Sequence, residues 1–126
     1  MTTGMSRNFL KYCRIRTTSE FQRIYLERRC FSEDYFSLYC QNNSFGYSRL
    51  GIVASRKSLK KSTMRNRAKR IVREGFRTLG YFLPSLDVVF VVKSQSEKAS
   101  KKELRKCIDR LLLKLIKYSL RELAVF

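Results

Sequence analysis

Arg56, Lys57, Lys60, Lys61, Arg65, Arg67, Lys69, Arg70, Arg73 and Arg77 are ten of the chain's 28 Lys and Arg residues. They fall in one stretch, SRKSLKKSTMRNRAKRIVREGFR, residues 55 to 77, against a single acid, Glu74. Cations at this density bind phosphate, arginine through paired N–H donors and lysine as a point charge. From Thr63 the spacing predicts a helix: Ala68, Ile71, Val72, Gly75 and Leu79 share one arc of the wheel, and Asn66, Lys69, Arg70, Arg73 and Arg77 fill an arc about 100° wide opposite. Arg65, Arg67, Lys69 and Arg70 crowd its first turns, where the macrodipole already presents roughly half a positive charge. Ser62 or Thr63 is expected to cap the free amides. Repulsion among the cations remains, and an external polyanion is its natural compensation. For one such helix alone, a solvated basic face is an equal reading.

Composition favours the polyanion. A net charge of +18 and an isoelectric point near 10.3 exceed what solubility requires and point to nucleic acid or an anionic membrane surface. No run approaches the roughly 18 apolar residues of a membrane span, and the cations are spread along the chain, so nucleic acid is the expected partner and no membrane is. The 126 residues, 44% hydrophobic, make a single domain over 1–126 with a basic arm, residues 1 to 16, carrying Arg7, Lys11, Arg14 and Arg16. The chain has no His and ten scattered acids, which removes the commonest general base and any evident carboxylate pair for a metal. Side chains of this protein are therefore not expected to break bonds themselves. Cys13, Cys30, Cys40 and Cys107 lack paired CxxC spacing and read as reduced thiols of a cytoplasmic protein.

These residues need a scaffold, and the patterns supply one. Ser19 with Gln22 fits a capping box opening a helix that ends near Arg28, with Phe21, Ile24 and Tyr25 as an aromatic stripe. A short strand near Arg29 to Ser32 precedes a second one, in which Phe36, Leu38 and Cys40 alternate with Tyr35, Ser37, Tyr39 and Gln41. Asn42, Asn43, Ser44 and Gly46 make a turn, Leu50 to Ala54 a buried strand, and Leu86 to Val92 a central one. Gly80 and Pro84 stop the basic helix. Ser100 and Glu103 form a second capping box, opening a helix with Leu104, Ile108, Leu111, Leu112, Leu115 and Ile116 on one face. The expected fold is α+β, a two-layer α/β sandwich of order α-β-β-β-α-β-α on a mixed four-stranded sheet.

In this order the motifs become recognisable. Residues 50 to 77, LGIVASRKSLKKSTMRNRAKRIVREGFR, resemble the signature of the bacterial ribonuclease P protein family, a strand ending in Ser-Lys-Lys that leads through a loop to an Arg-Asn-Arg helix. EFQRIY and YFSLYC extend the resemblance, which covers roughly residues 9 to 118. Arg56 stands where the family usually has Lys, Leu59 where it has Gly in a loop one residue shorter, and Tyr25 where Phe is common. The resemblance implies a left-handed β-α-β crossover and a docking surface for the catalytic RNA made by Arg56, Lys60, Arg65, Asn66, Arg67, Lys69, Arg70 and Arg73. It also implies a site for the single-stranded 5′ leader of precursor tRNA at Phe21, Tyr25, Tyr39 and Lys57, where aromatic rings stack on unpaired bases. Chemistry would belong to RNA and Mg2+ held mainly by that RNA, with one protein per RNA.

The alternative in another class is a structural rRNA-binding ribosomal protein, which would share size, charge and fold but need no aromatic leader site. A DNA-compacting protein would want a dimer-forming arm or an intercalating Pro, and a self-sufficient nuclease would want His or paired acids.

Overall fold

A computed structural model describes residues 29–124. The helix expected before Arg28, with Phe21 and Tyr25, and the arm over 1–16 lie outside the described residues. The remaining six elements occur in the expected order. They are β1 (Arg29–Ser32), β2 (Phe36–Asn42), β3 (Arg49–Val53), α1 (Ser62–Leu79), β4 (Leu86–Val92) and α2 (Lys101–Ala124).

The strands form one sheet in the order β1-β2-β4-β3. β1 pairs antiparallel with β2 and β2 with β4, while β3 runs parallel to β4. The continuous apolar run of β4 follows from its place, since a strand paired on both sides and covered on both faces has little use for polar side chains. Leu86, Val88, Phe90 and Val92 meet Phe36, Leu38, Cys40, Leu50 and the two helices in the main core, and Val89 is fully buried on the other face. β2 shows the expected alternation, with Phe36, Leu38 and Cys40 buried and Ser37, Tyr39 and Gln41 half-exposed. β3 starts one residue earlier than the pattern predicts, because Arg49 joins the ladder opposite Asp87.

Parallel neighbours need a long connection, and α1 provides it between β3 and β4. Its buried arc holds Ala68, Ile71, Val72 and Gly75 as predicted, and Phe76 besides. The expected cap is different. Ser62 and Thr63 already lie inside the helix, where their hydroxyls have passed the capping position. Lys61 is the N-cap and makes no side-chain cap bond; its carbonyl accepts the Met64 and Arg65 amides at 3.1 and 3.2 Å. The helix does end at Gly80, but not through a left-handed residue, since Gly80 stays helical at φ −62°. A Cβ there would stand 2.9 Å from the Phe76 ring, so space is the reason for glycine.

α2 opens on the predicted capping box, with Ser100 N donating to Glu103 Oε1 at 2.8 Å and Glu103 N to Ser100 Oγ at 3.1 Å. It packs across α1 at Gly75, whose missing side chain makes room for Ile108.

Candidate nucleic-acid interface

α1 presents its polar arc away from the core. Asn66, Arg70 and Arg77 are exposed and Lys69 and Arg73 half-exposed, with no acid in the first turn. Glu74 stands aside from this arc, within 4.0 Å of Arg105 on α2. The uncompensated positive end of the helix therefore faces solvent together with a row of phosphate-binding groups.

Arg65 and Arg67 sit differently from their neighbours. On the wheel they lie about 100° to either side of Asn66, at the margins of the arc, where a long side chain reaches adjoining backbone. Arg65 Nη1 donates to the carbonyls of Leu59 and Lys60 at 2.8 and 2.9 Å. Arg67 Nη2 donates to the carbonyls of Ser96 and Ala99 at 3.1 and 3.0 Å. Both are half-exposed, and each closes a loop against the helix.

The loop from Ser55 to Lys61 is built for this. Ser55 Oγ accepts the Ser58 amide at 3.1 Å and Ser55 O the Leu59 amide at 3.0 Å, a turn that drives Leu59 into the core at 1% exposure. With Leu59 buried from below and Arg65 holding two carbonyls from above, Arg56, Lys57, Lys60 and Lys61 stand exposed beside the start of α1. The residue that departs from the family pattern thus anchors the loop.

Tyr39 lies on the opposite face of the sheet. Register puts it between Cys30 of β1 and Val89 of β4, with Val53 and Val91 in the same apolar patch. Burial first, and then the neighbouring Cys30 thiol, push its phenol above the ordinary value of 10.0, so the ring is uncharged near neutral pH. Lys57 is exposed in the turn leaving β3, on the far side of β4 from Tyr39, and the structure records no contact between the two. Phe21 and Tyr25 lie outside the described residues. The sheet therefore separates two surfaces: cations beside α1 on one side, and an aromatic and aliphatic patch around Tyr39 on the other.

The family described as Ribonuclease P has a sequence model that matches residues 9–116. The chain belongs to the ribonuclease P family. Among its relatives, the ribonuclease P protein component of Coxiella burnetii is 42% identical over 121 residues, 96% of this chain and 100% of that protein. The component from Pseudoalteromonas translucida is 34% identical, with 86% of this chain and 77% of the relative covered. The solved ribonuclease P protein of Thermotoga maritima superposes with a TM-score of 0.70 at 33% identity, covering 80% of this chain and 96% of that one. For that of Staphylococcus aureus the score is 0.76 at 27% identity, with coverage of 85% and 97%. Membership favours the ribonuclease P reading over the ribosomal alternative.

Sequence reading missed Arg49, Asp87 and Phe45. Arg49 and Asp87 pair across parallel strands through two hydrogen bonds, at 2.8 and 2.7 Å. The available signal was an opposite charge opening each of two adjacent apolar strands. No helix among the described residues is long and apolar enough to cross a membrane.

Proposed function

We propose that this chain is the protein component of a ribonuclease P ribonucleoprotein, acting in tRNA 5′ maturation as a subunit that binds RNA and leaves the cleavage to it. The observation that carries this is the family match over residues 9–116 on a chain whose helix α1 turns Asn66, Lys69, Arg70 and Arg73 outward beside Arg56 and Lys60. Those residues dock the catalytic RNA through phosphate contacts. Arg65 and Arg67 serve the same surface by holding the loops that flank it.

Tyr39, with Phe21, Tyr25 and Lys57, receives the unpaired 5′ leader of precursor tRNA. A leader contact exists before cleavage and not after, so it separates substrate from product. Magnesium belongs with the RNA, whose phosphate oxygens are the hard ligands that this cation takes. One protein per RNA, in the cytoplasm, completes the proposal.

The test is reconstitution with the cognate ribonuclease P RNA. The protein alone should cleave nothing, yet lower the magnesium and salt concentrations at which the RNA removes a leader. Tyr39→Ala should weaken precursor binding roughly tenfold, within the range for one stacked base, and leave mature tRNA binding unchanged. No gain in processing on adding the protein would defeat the assignment, and equal losses for precursor and mature tRNA would defeat the leader site.

A further inference from the structure

Beyond Tyr39 the same face of the sheet continues into a row of different character. Gln41 on β2, Asp87 on β4 and Arg49 on β3 are register partners, and alternation places them two residues, or about 7 Å, along from the Tyr39 row. Arg49 and Asp87 are 8% and 6% exposed, and their bidentate pair fixes both side chains. Asn43 extends the network. Its Nδ2 donates to Asp87 Oδ1 at 2.8 Å and to the Tyr47 carbonyl at 3.2 Å, and its Oδ1 accepts the Phe45 amide at 3.0 Å. Gly46, at φ +85°, supplies the left-handed residue that closes the turn.

What this braced turn displays is aromatic. Phe45 is 51% exposed and Tyr47 39%, with ring centroids 5.9 Å apart. The Arg49 guanidinium carbon lies 4.3 Å from the Phe45 centroid. Between turn and sheet is a cavity of about 340 Å³, lined by Gln41, Asn42, Phe45, Arg49 and Asp87 among others, at the small end of the range for ligand sites. A lone exposed Phe is ordinary. Here the ring is backed by a fixed cation, held by a hydrogen-bonded turn, and set over a cavity rimmed by amides and one carboxylate.

Those groups define the ligand. The Arg49–Asp87 pair is neutral as a whole, so the cavity offers phosphate no surplus cation, and the aromatic ring is what it presents to a ligand. An exposed aromatic face backed by a cation and edged by the side-chain amides of Gln41, Asn42 and Asn43 suits an unpaired nucleobase.

We propose that the β2–β3 turn is a nucleobase subsite, in which an unpaired leader nucleotide stacks on the face of Phe45 that Arg49 leaves open. This rests on the reading of the Tyr39 face as the leader site. Polarity follows from the sheet: the docking helix begins beyond the Val53 end of β3, and Arg49 is at the other end. With the cleavage point placed, as part of this proposal, at the end of the sheet where the RNA docks, the nucleotide at Phe45 is farther from it than the one at Tyr39.

The experiment uses holoenzyme reconstituted with the ribonuclease P RNA and precursors whose leaders are shortened one nucleotide at a time from the 5′ end. Phe45→Ala should lose roughly tenfold in affinity for long-leader precursors and nothing once the leader is too short to reach the turn. Phe45→Tyr should bind like the parent. Tyr39→Ala should show its loss down to shorter leaders than Phe45→Ala does. A Phe45→Ala effect that is absent, or equal at every leader length, overturns the subsite. If Tyr39→Ala fails to distinguish precursor from mature tRNA, the leader reading falls, and the length dependence at Phe45 then decides the subsite by itself.

Discussion

Arg67 on α1 closes onto the carbonyl oxygen of Ala99, 32 residues further along, at 3.0 Å, and the same Nη2 also serves Ser96. The basic helix is thereby fastened to the turn that opens α2, and a residue that looks like a phosphate ligand in the sequence spends one nitrogen on the fold. Arg70, three positions on, is exposed and has no such tie among the described residues.

The two arginines should therefore separate in experiment. Arg67→Ala takes the guanidinium donor from the Ala99 carbonyl, while the Ser96 carbonyl keeps the Ala99 amide at 3.2 Å, and should lower stability by about 1 to 3 kcal/mol, read by denaturant or thermal unfolding of the free protein. Arg70→Ala should unfold like the parent but bind the catalytic RNA more weakly, with a shallower dependence of affinity on salt. An unchanged salt slope would remove Arg70 from the interface.

Leu59 tests the loop. At 1% exposure its truncation opens a cavity beneath Ser55 to Lys61, and Leu59→Ala should cost roughly 2 to 5 kcal/mol. A loss below 1 kcal/mol, measured by equilibrium unfolding, would mean that the loop does not depend on this anchor.

Gly75→Ala sets two effects against each other. Alanine favours the helix by about 1 kcal/mol, but its Cβ would stand 2.7 Å from Cγ2 of Ile108, a fully buried branched side chain with no free end to swing away. Overpacking typically costs about 1 to 3 kcal/mol, so the variant should be less stable than the parent. A rise in melting temperature would show that α1 and α2 can move apart cheaply.

Glu33 contributes acid sensitivity. Its hydrogen bond from Lys114, aided by Arg110, holds its carboxyl below the ordinary value of 4.5, against an opposing push from burial. A carboxylate depressed in the folded state adds stability that is present above the unfolded value and is lost as pH falls through the folded one. Thermal unfolding across pH should show the parent above Glu33→Gln at neutral pH, with the difference shrinking once pH drops below 4.5. A constant difference would assign the effect to packing.

Periodicity and charge in the chain alone determined the order of the described elements, the central place of β4, the outward arc of α1 and the capping box at Ser100, while the motif over residues 50 to 77 carried the resemblance to the family. Each depends on local spacing: alternate residues on a strand, every third or fourth on a helix, hydrogen bonds three residues apart. Tertiary structure alone decided what depends on distant neighbours. It placed Arg65 and Arg67 against the backbone of adjoining loops, sank Leu59 into the core, gave Gly75 and Gly80 steric reasons, and paired Arg49 with Asp87 beneath Phe45. A side chain's type says what it can bind, whereas the partner it meets depends on which strands and helices the fold brings within reach.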